Sequence, residues 1–448
     1  MYTFQDWQET IAAGESAKRA FIIRVIASHK SSEAYRRALC ARAYYNRKNT
    51  EILKRRETLL STGELSKLHK RSTRPVNRKC SGFFSKSVNQ LCMYLLGNGV
   101  GMPQDVKRRL GADFDMTLQR IGRQTLIDGV CYGFWNSDSV VPFYSTEFVG
   151  LPDERTSEIK AGFRFYQISD KKPQFVEIFE IDGVSVYRIS GGIVELEREK
   201  EPYAQCLHVA GSEKTEISAS VYSVLPIVPF YANDSHESHL TDGLKNDIDL
   251  FDRIMSDFGD NLDRANDIYY VVQNYGGANL KQLIEEIEEY RTIYTDGDSG
   301  AQIKTIDVPY AARSEALRLL EGQMYKETQT LDTEKLSGGG LTNVAIKVAM
   351  TELDLKTDMF EWQAESFVQG ILKFASPEKP VEVTFCRRSL INDAEMIANI
   401  YRMRSDIDRH TALELNPLLS ETKVEAILKH FENSVLSQDI NKREVSYE

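Results

Sequence analysis

The 448 residues, 42% hydrophobic and 27% charged, have the composition of a folded globular protein, with room for two to four compact units at roughly 150 residues each. No run approaches the roughly 20 apolar residues of a membrane span, the opening MYTFQDWQET lacks a basic-then-apolar leader, and six scattered cysteines without a CxxC pair suit a reducing cytoplasm. The net charge of -10 is uneven, because residues 1–80 hold 18 Lys and Arg against 7 Asp and Glu (+11), leaving -21 for the remainder. Such polarity points either to different partners for the two parts or to a basic helical face paired with acidic surface elsewhere.

In chain order, residues 1 to about 135 read as helical. EAYRRALCARAYYNRKNTEILKRRETLL is rich in helix formers with Glu/Arg pairs at helical spacing. After a break at Ser72–Pro75, Val88, Leu91, Cys92 and Leu95 share one stripe with Gly97 as a stop, GNGVGMP forms a turn, and Phe114, Leu118, Ile121 and Thr125 mark a further amphipathic helix. Around Trp135 the period changes from 3.6 to 2. FRFYQI, QFVEIFEI, VSVYRIS, HVAGSE and SVLPIVPFY predict a mostly antiparallel β unit over 136–231, with Asp182-Gly183 as a hairpin signal.

From Ser238 to Asn266, Leu240, Leu244, Ile248, Phe251, Met255, Phe258 and Leu262 keep a 3- and 4-residue spacing, while Asp242, Asp247, Asp249, Asp252, Asp257, Asp260 and Asp263 outnumber Lys245, Arg253 and Arg264. This predicts one long helix with an apolar side and an acidic side. A small α/β module follows: the strand IYYVVQNY, a turn at Gly276-Gly277, the helix LKQLIEEIEEYRTIY, a loop over Asp296–Gly300 and the strand QIKTIDVP. RSEALRLLEGQMYKETQ returns as a helix, and Gly338, Gly339 and Gly340 make TLDTEKLSGGGLTN an irregular connector, since three glycines lose too much backbone entropy in a helix. A long helix from about Val344 to Phe374, the strand EVTFCRR and terminal helices complete the chain.

No catalytic motif emerges. Walker A, GxSxG and Rossmann glycine patterns are absent, and Gly97–Gly101 follows a helix rather than a strand. His236-Glu237-Ser238-His239 sets its histidines one residue too close for HExxH, although Asp242 could complete a metal cluster, and Asp296, Asp298 and Gly300 lack the closing Glu of a calcium loop. The residues therefore predict no enzyme, no cofactor and no metal.

The order of elements resembles the portal proteins of long-tailed phages that infect Gram-positive bacteria. The likeness covers nearly the whole chain and is carried by YYNRKNTEIL, NQLCMYLLGNGV, FDMTLQRIGRQTLIDGVCYGFWN, VPFYANDSHESHLTDGLKNDIDLFDRIMSDFGDNLDRANDIYYVVQNYGG and GGGLTNVAIKVAM. The resemblance implies an α+β portal-type subunit with a wing at 1–236 (helical arm, then β unit), stem helices at 237–266 and 312–328, and a clip at 267–311. It further implies a tunnel loop at 329–343, a long wing helix and strand at 344–388, and a crown at 389–448. The short polar tail leaves that crown small.

By the same resemblance, subunits form a homo-oligomeric ring, expected to be twelve-fold, at one capsid vertex. DNA is packaged and ejected through it, and it docks the terminase large subunit, a head-tail adaptor, and the major capsid and scaffolding proteins. It would be a virion component assembled in the host cytoplasm, with no membrane contact. Implied site residues are Asp332, Glu334, Lys335, Ser337, Gly338, Gly339 and Gly340 on the tunnel loop; Asp247, Asp249, Asp252, Asp257 and Asp260 on the acidic stem face; and Glu285, Glu286, Glu289, Tyr290 and Arg291 for docking at the clip. Duplex DNA carries one negative charge per roughly 1.7 Å, so an acidic lumen would let it slide. Two other readings compete: an oligomeric virion or scaffold protein that never meets DNA, and an enzyme built on His236, His239 and Asp242.

Overall fold

The computed structural model describes residues 2–54, 77–208, 215–220, 222–265, 269–272, 301–304, 310–334, 343–378, 380–387, 393–403, 408–414, 424 and 427–428. Over these residues the chain is α+β. Helices α1 (Phe4–Ala12), α2 (Glu15–Ser31) and α3 (Glu33–Tyr45) come first. Thr3 and Asp6 cap α1 reciprocally, the Thr3 hydroxyl accepting from the Asp6 amide and the Asp6 carboxylate from the Thr3 amide, which satisfies two amides that no helical carbonyl reaches. Then follow α4 (Phe83–Leu96), β1 (Val100–Gly101), α5 (Gln104–Arg109) and α6 (Phe114–Asp128). The expected stripes are the buried ones: Val88, Leu91, Cys92 and Leu95 on α4, and Phe114, Leu118, Ile121 and Thr125 on α6.

The helical part ends earlier than the sequence period suggests. Gly129, at φ +91°, stops α6, and a Cβ there would lie 2.5 Å from the His236 carbonyl oxygen, so the position admits glycine on two counts. Strand β2 (Val130–Trp135) starts at once and lies between β3 (Val140–Tyr144) and the later β11 (Ile227–Tyr231). Within the expected turn at GNGVGMP, Val100 and Gly101 pair antiparallel with Phe385 and Thr384 of β14 (Thr384–Phe385), a long-range partner that local sequence cannot reveal.

Between β3 and β11 run β4 (Phe148–Pro152), β5 (Ile159–Gln167), β6 (Gln174–Glu180), β7 (Gly183–Ser190) and β8 (Ile193–Glu201), a five-stranded antiparallel meander, and the hairpin β9 (Tyr203–His208) and β10 (Thr215–Ser220). The β6–β7 turn falls one residue earlier than the Asp182-Gly183 signal, since Glu180 pairs with Gly183. Gly183 is needed instead for close approach, as a Cβ there would meet the Glu201 carbonyl oxygen at 2.2 Å. Helices α1 and α2 lie on the meander, packing Trp7, Phe21, Ile22 and Val25 against Ala161, Phe163, Val176 and Ile178. Burying each of the Phe, Ile and Val side chains is worth about 1.5–3 kcal/mol.

The remaining elements are α7 (Asp242–Ala265), β12 (Tyr269–Val272), β13 (Ala301–Lys304), α8 (Tyr310–Thr328), α9 (Asn343–Ala375), α10 (Asp393–Arg402) and α11 (Arg409–Glu414). The second and larger core joins α3, α4, α6, the β2–β3–β11 sheet, the start of α7 and the buried side of α9 through Tyr44, Leu91, Ile121, Phe230, Leu244, Phe360 and Phe367. Phe230 stacks on Phe360 and Phe367 with ring centroids at 5.4 and 4.9 Å.

Candidate functional site

Helix α7 begins at Asp242 rather than Ser238 because Thr241 caps it, accepting from the Leu244 amide at 3.0 Å, while Ser238 donates to the Ile127 carbonyl. One row along it runs Leu244, Ile248, Asp252, Ser256, Asp260. The first two side chains enter the core. The next two are as deeply buried, at 1% and 0% exposure, yet polar, and they hold backbone. Asp252 accepts the Ser81 amide at 2.8 Å, Ser256 Oγ the Lys79 amide at 2.9 Å, and Asp260 the Asn77 amide at 2.8 Å.

The match is geometric. Positions four apart on a helix rise about 6 Å, and alternate residues of an extended chain rise about 6.6 Å, so three side chains of α7 meet three successive outward amides of 77–81. Ser256 also donates to the Asp252 carbonyl at 2.7 Å, and the Asn49 side-chain amide donates to the second Asp252 oxygen. Gly259 lets the strap lie close, since a Cβ there would touch Asn77 at 3.1 Å. Burial raises the Asp252 carboxyl above the usual range, while the Asn49 and Ser81 bonds oppose that rise.

The other acidic residues of α7 are distributed differently. Asp249 accepts from the Tyr44 hydroxyl and from Lys245 Nζ at 2.7 Å, with Lys245 also over the Tyr44 ring. Asp247 is half-buried, its carboxyl raised by burial and by Glu327. At Asp257 the main-chain carbonyl accepts from Arg313 at 3.4 Å. Thus Asp249, Asp252 and Asp260 turn toward α3 and the 77–81 strap. Sequence spacing marked the acids but missed Tyr44, Asn49 and the strap, for which no local signal exists.

Helix α8 returns antiparallel to α7. Thr241 donates to Glu327 at 2.5 Å at one end, and Phe258 meets Tyr310 at 5.7 Å near the other. Beyond α7, β12 and β13 pair antiparallel, Val272 facing Ala301. Glu285, Glu286, Glu289, Tyr290 and Arg291 lie outside the described residues, as do Lys335, Ser337, Gly338, Gly339 and Gly340. Where α8 ends, Gln90 of α4 clamps Leu331, accepting its amide at 2.9 Å and donating to its carbonyl at 3.0 Å. Asp332 then accepts the Glu334 amide at 3.1 Å in a tight turn.

The basic N-terminal part spends two of its cations on distant acids. Arg42 forms a fork with the buried Asp128 at 2.8 and 2.5 Å, and Arg37 meets Glu237 at 2.9 Å and Asp242 at 3.8 Å. The histidine cluster does not converge. His236 stacks on Tyr231 at 3.6 Å, Glu237 and Asp242 face Arg37, and His239 is buried beside Phe84. Burial, with Lys356 nearby, lowers His239 to about 3. Among the described residues no group of three His, Cys, Asp or Glu side chains is set to hold a metal, and no helix is long and apolar enough to cross a membrane.

A family model described as "Phage portal protein, SPP1 Gp6-like" matches residues 26–435. The chain is 27% identical over 294 residues to the portal protein of Clostridium phage phiCD119, covering 61% of this chain and 60% of that one. It is 24% identical over 386 residues to the portal protein of Bacillus phage SPP1, covering 79% of this chain and 75% of the relative. A chain from the virion of a native gene transfer agent particle aligns over 82% of this chain and 98% of its own length, with 12% identity and a TM-score of 0.41.

Proposed function

Because the chain belongs to the SPP1 Gp6-like family of phage portal proteins, we propose that it is one subunit of a ring-shaped channel at a capsid vertex, through which double-stranded DNA is packaged and ejected. The observation that carries this reading is the family match across residues 26–435. The arrangement of long elements agrees with it. Helices α7, α8 and α9 have 24, 19 and 33 residues, or about 36, 28 and 50 Å at 1.5 Å per residue. α7 and α8 form a two-helix arm that leads into the β12–β13 pair and back.

In this reading residues 237–266, which hold α7, and 312–328, most of α8, are the stem, residues 267–311 the clip, and 329–343 a tunnel loop at the constriction. Residues 1–236 and 344–388 form the wing, and 389–448 the crown. The ring is twelve-fold. The clip docks the terminase large subunit and later a head-tail adaptor, the outer surface meets the major capsid and scaffolding proteins, and assembly takes place in the host cytoplasm. The protein acts as a passive conduit, not as an enzyme. Negative-stain microscopy of the purified protein tests the reading: rings with a central pore are expected, and a persistent monomer at micromolar concentration under varied salt would sink it.

A further inference from the structure

Helix α9 buries one side and leaves the other bare. Val348, Leu355, Met359 and Trp362, spaced 7, 4 and 3 residues apart, are 70, 57, 51 and 70% exposed, although apolar side chains of this size gain most from burial. They form one stripe about 21 Å long. Along one flank stand the acids Asp354, Asp358, Glu361 and Glu365 with Lys347, and on the other side lie Glu352 and the partly buried Lys356. Arg387 answers three of them, at 3.8 Å from Asp354 and 2.5 Å from Asp358 and Glu361, which leaves the flank acidic.

A surface of opposite character lies on α2. Its outward seam is Ser16, Ala20, Ile23 and Ala27, all exposed and mostly small, over about 17 Å. Arg19, Arg24 and Lys30, also exposed, flank it, while Lys18 is already paired with Glu15 at 2.7 Å. One helix thus presents large apolar side chains beside an acidic flank, and the other a shallow seam of small ones between bases. The seam of about 17 Å spans most of the stripe, and the two are complementary in size, of the kind that lets knobs enter holes, and in charge, which steers and registers an encounter.

We infer that the α9 stripe of one copy seats on the α2 seam of the next, so that α2 and α9 form the two halves of a head-to-tail junction between copies. Because the halves differ, the junction is heterologous and repeats around a closed ring instead of ending at a dimer. The inference rests on the ring reading above and adds to it which faces meet.

Two exposed substitutions test it. Trp362→Lys puts a cation into the stripe, facing the basic seam, and Ala20→Glu puts an acid into the seam, facing the acidic flank. Each variant alone should sediment as a monomer with an unchanged circular dichroism spectrum, while Trp362→Phe keeps the ring. An equal mixture of the two should recover association that neither variant shows alone, since the intact seam of the first receives the intact stripe of the second. Should either variant misfold, Leu355→Lys and Ala27→Glu replace it. Wild-type rings with undiminished assembly of the Ala20→Glu variant would overturn this junction while leaving the ring intact. Two monomeric variants that fail to pair would also overturn it, and a monomeric wild type would remove both readings.

Discussion

Asp252 and Ser81, 171 positions apart, are joined by a 2.8 Å hydrogen bond from the Ser81 amide to a carboxylate that is almost wholly buried. The bond ties the N-terminal region to the long helix in its middle, where an apolar row gives way to a polar one without leaving the interior. A buried carboxylate is tolerable only when its lone pairs are taken up, and here a backbone amide and the Asn49 side chain do so.

Removing that carboxylate should therefore cost more than a surface change. Bonds to a charged group contribute about 1.5–3 kcal/mol each, partly offset by relief of its desolvation, so Asp252→Ala should destabilise the fold by about 2–3 kcal/mol. Amide exchange at Lys79 and Ser81 should speed up, while exchange within α4 stays slow. Unchanged exchange at Ser81 would mean that Asp252 does not hold its amide.

His239 sets an acid limit on stability. Its folded value of about 3 lies below the ordinary 6.5, so the folded state binds this proton less readily than the unfolded chain. Its contribution is complete above pH 6.5 and is lost progressively as pH falls toward 3. Going from pH 6.5 to 5 should cost about 2 kcal/mol, at 1.36 kcal/mol per unit. Chemical denaturation of wild type and His239→Phe across that window checks it: the wild-type curve falls, and the variant curve is flatter by that amount.

The helical stripes, the antiparallel β unit and the long return helices were legible because they rest on periods of 3.6 and 2, which a few neighbouring residues display. Leu91 and Leu118 show this, as each lies where its period puts it and is buried. What the sequence hid depends on partners far away. Nothing near Val100 announces Phe385, and nothing near Ser81 announces Asp252. The acids of α7 read as a side opposite the apolar one, yet Asp252 lies on the buried row. A helical wheel sorts residues by angle and cannot know that a polar strap covers that angle.

The clip assignment predicts that the segment between β12 and β13 docks the packaging motor through Glu285, Glu286, Glu289, Tyr290 and Arg291. Because Val272 already faces Ala301, deleting 276–300 leaves residues 273–275 as a three-residue hairpin loop, a length that antiparallel strands accept. Rings should still form and heads still assemble, but without DNA. Filled heads from this deletion would refute the docking role.

The tunnel-loop assignment makes the sharpest demand. Its near end is fixed, since Gln90 holds Leu331 through both amide and carbonyl and Thr328 and Thr330 share a buried hydroxyl contact at 2.7 Å. Movement past that anchor would have to come from the chain beyond it, where Gly338, Gly339 and Gly340 stand together, and glycine reaches backbone angles closed to other residues. Replacing the three with Ala should shorten the packaged DNA while leaving rings unchanged. Lys335→Glu acts through charge alone, repeating a repulsive belt around the axis. Its defect should shrink as salt is raised, because screening confines charge to roughly 8 Å at physiological ionic strength and less above it. The triple Ala variant, whose defect is mechanical, should show no such salt relief. Packaged length per head, measured for wild type and both variants at two salt concentrations, separates these causes. Equal filling by all three would mean that residues 329–343 do not meet DNA.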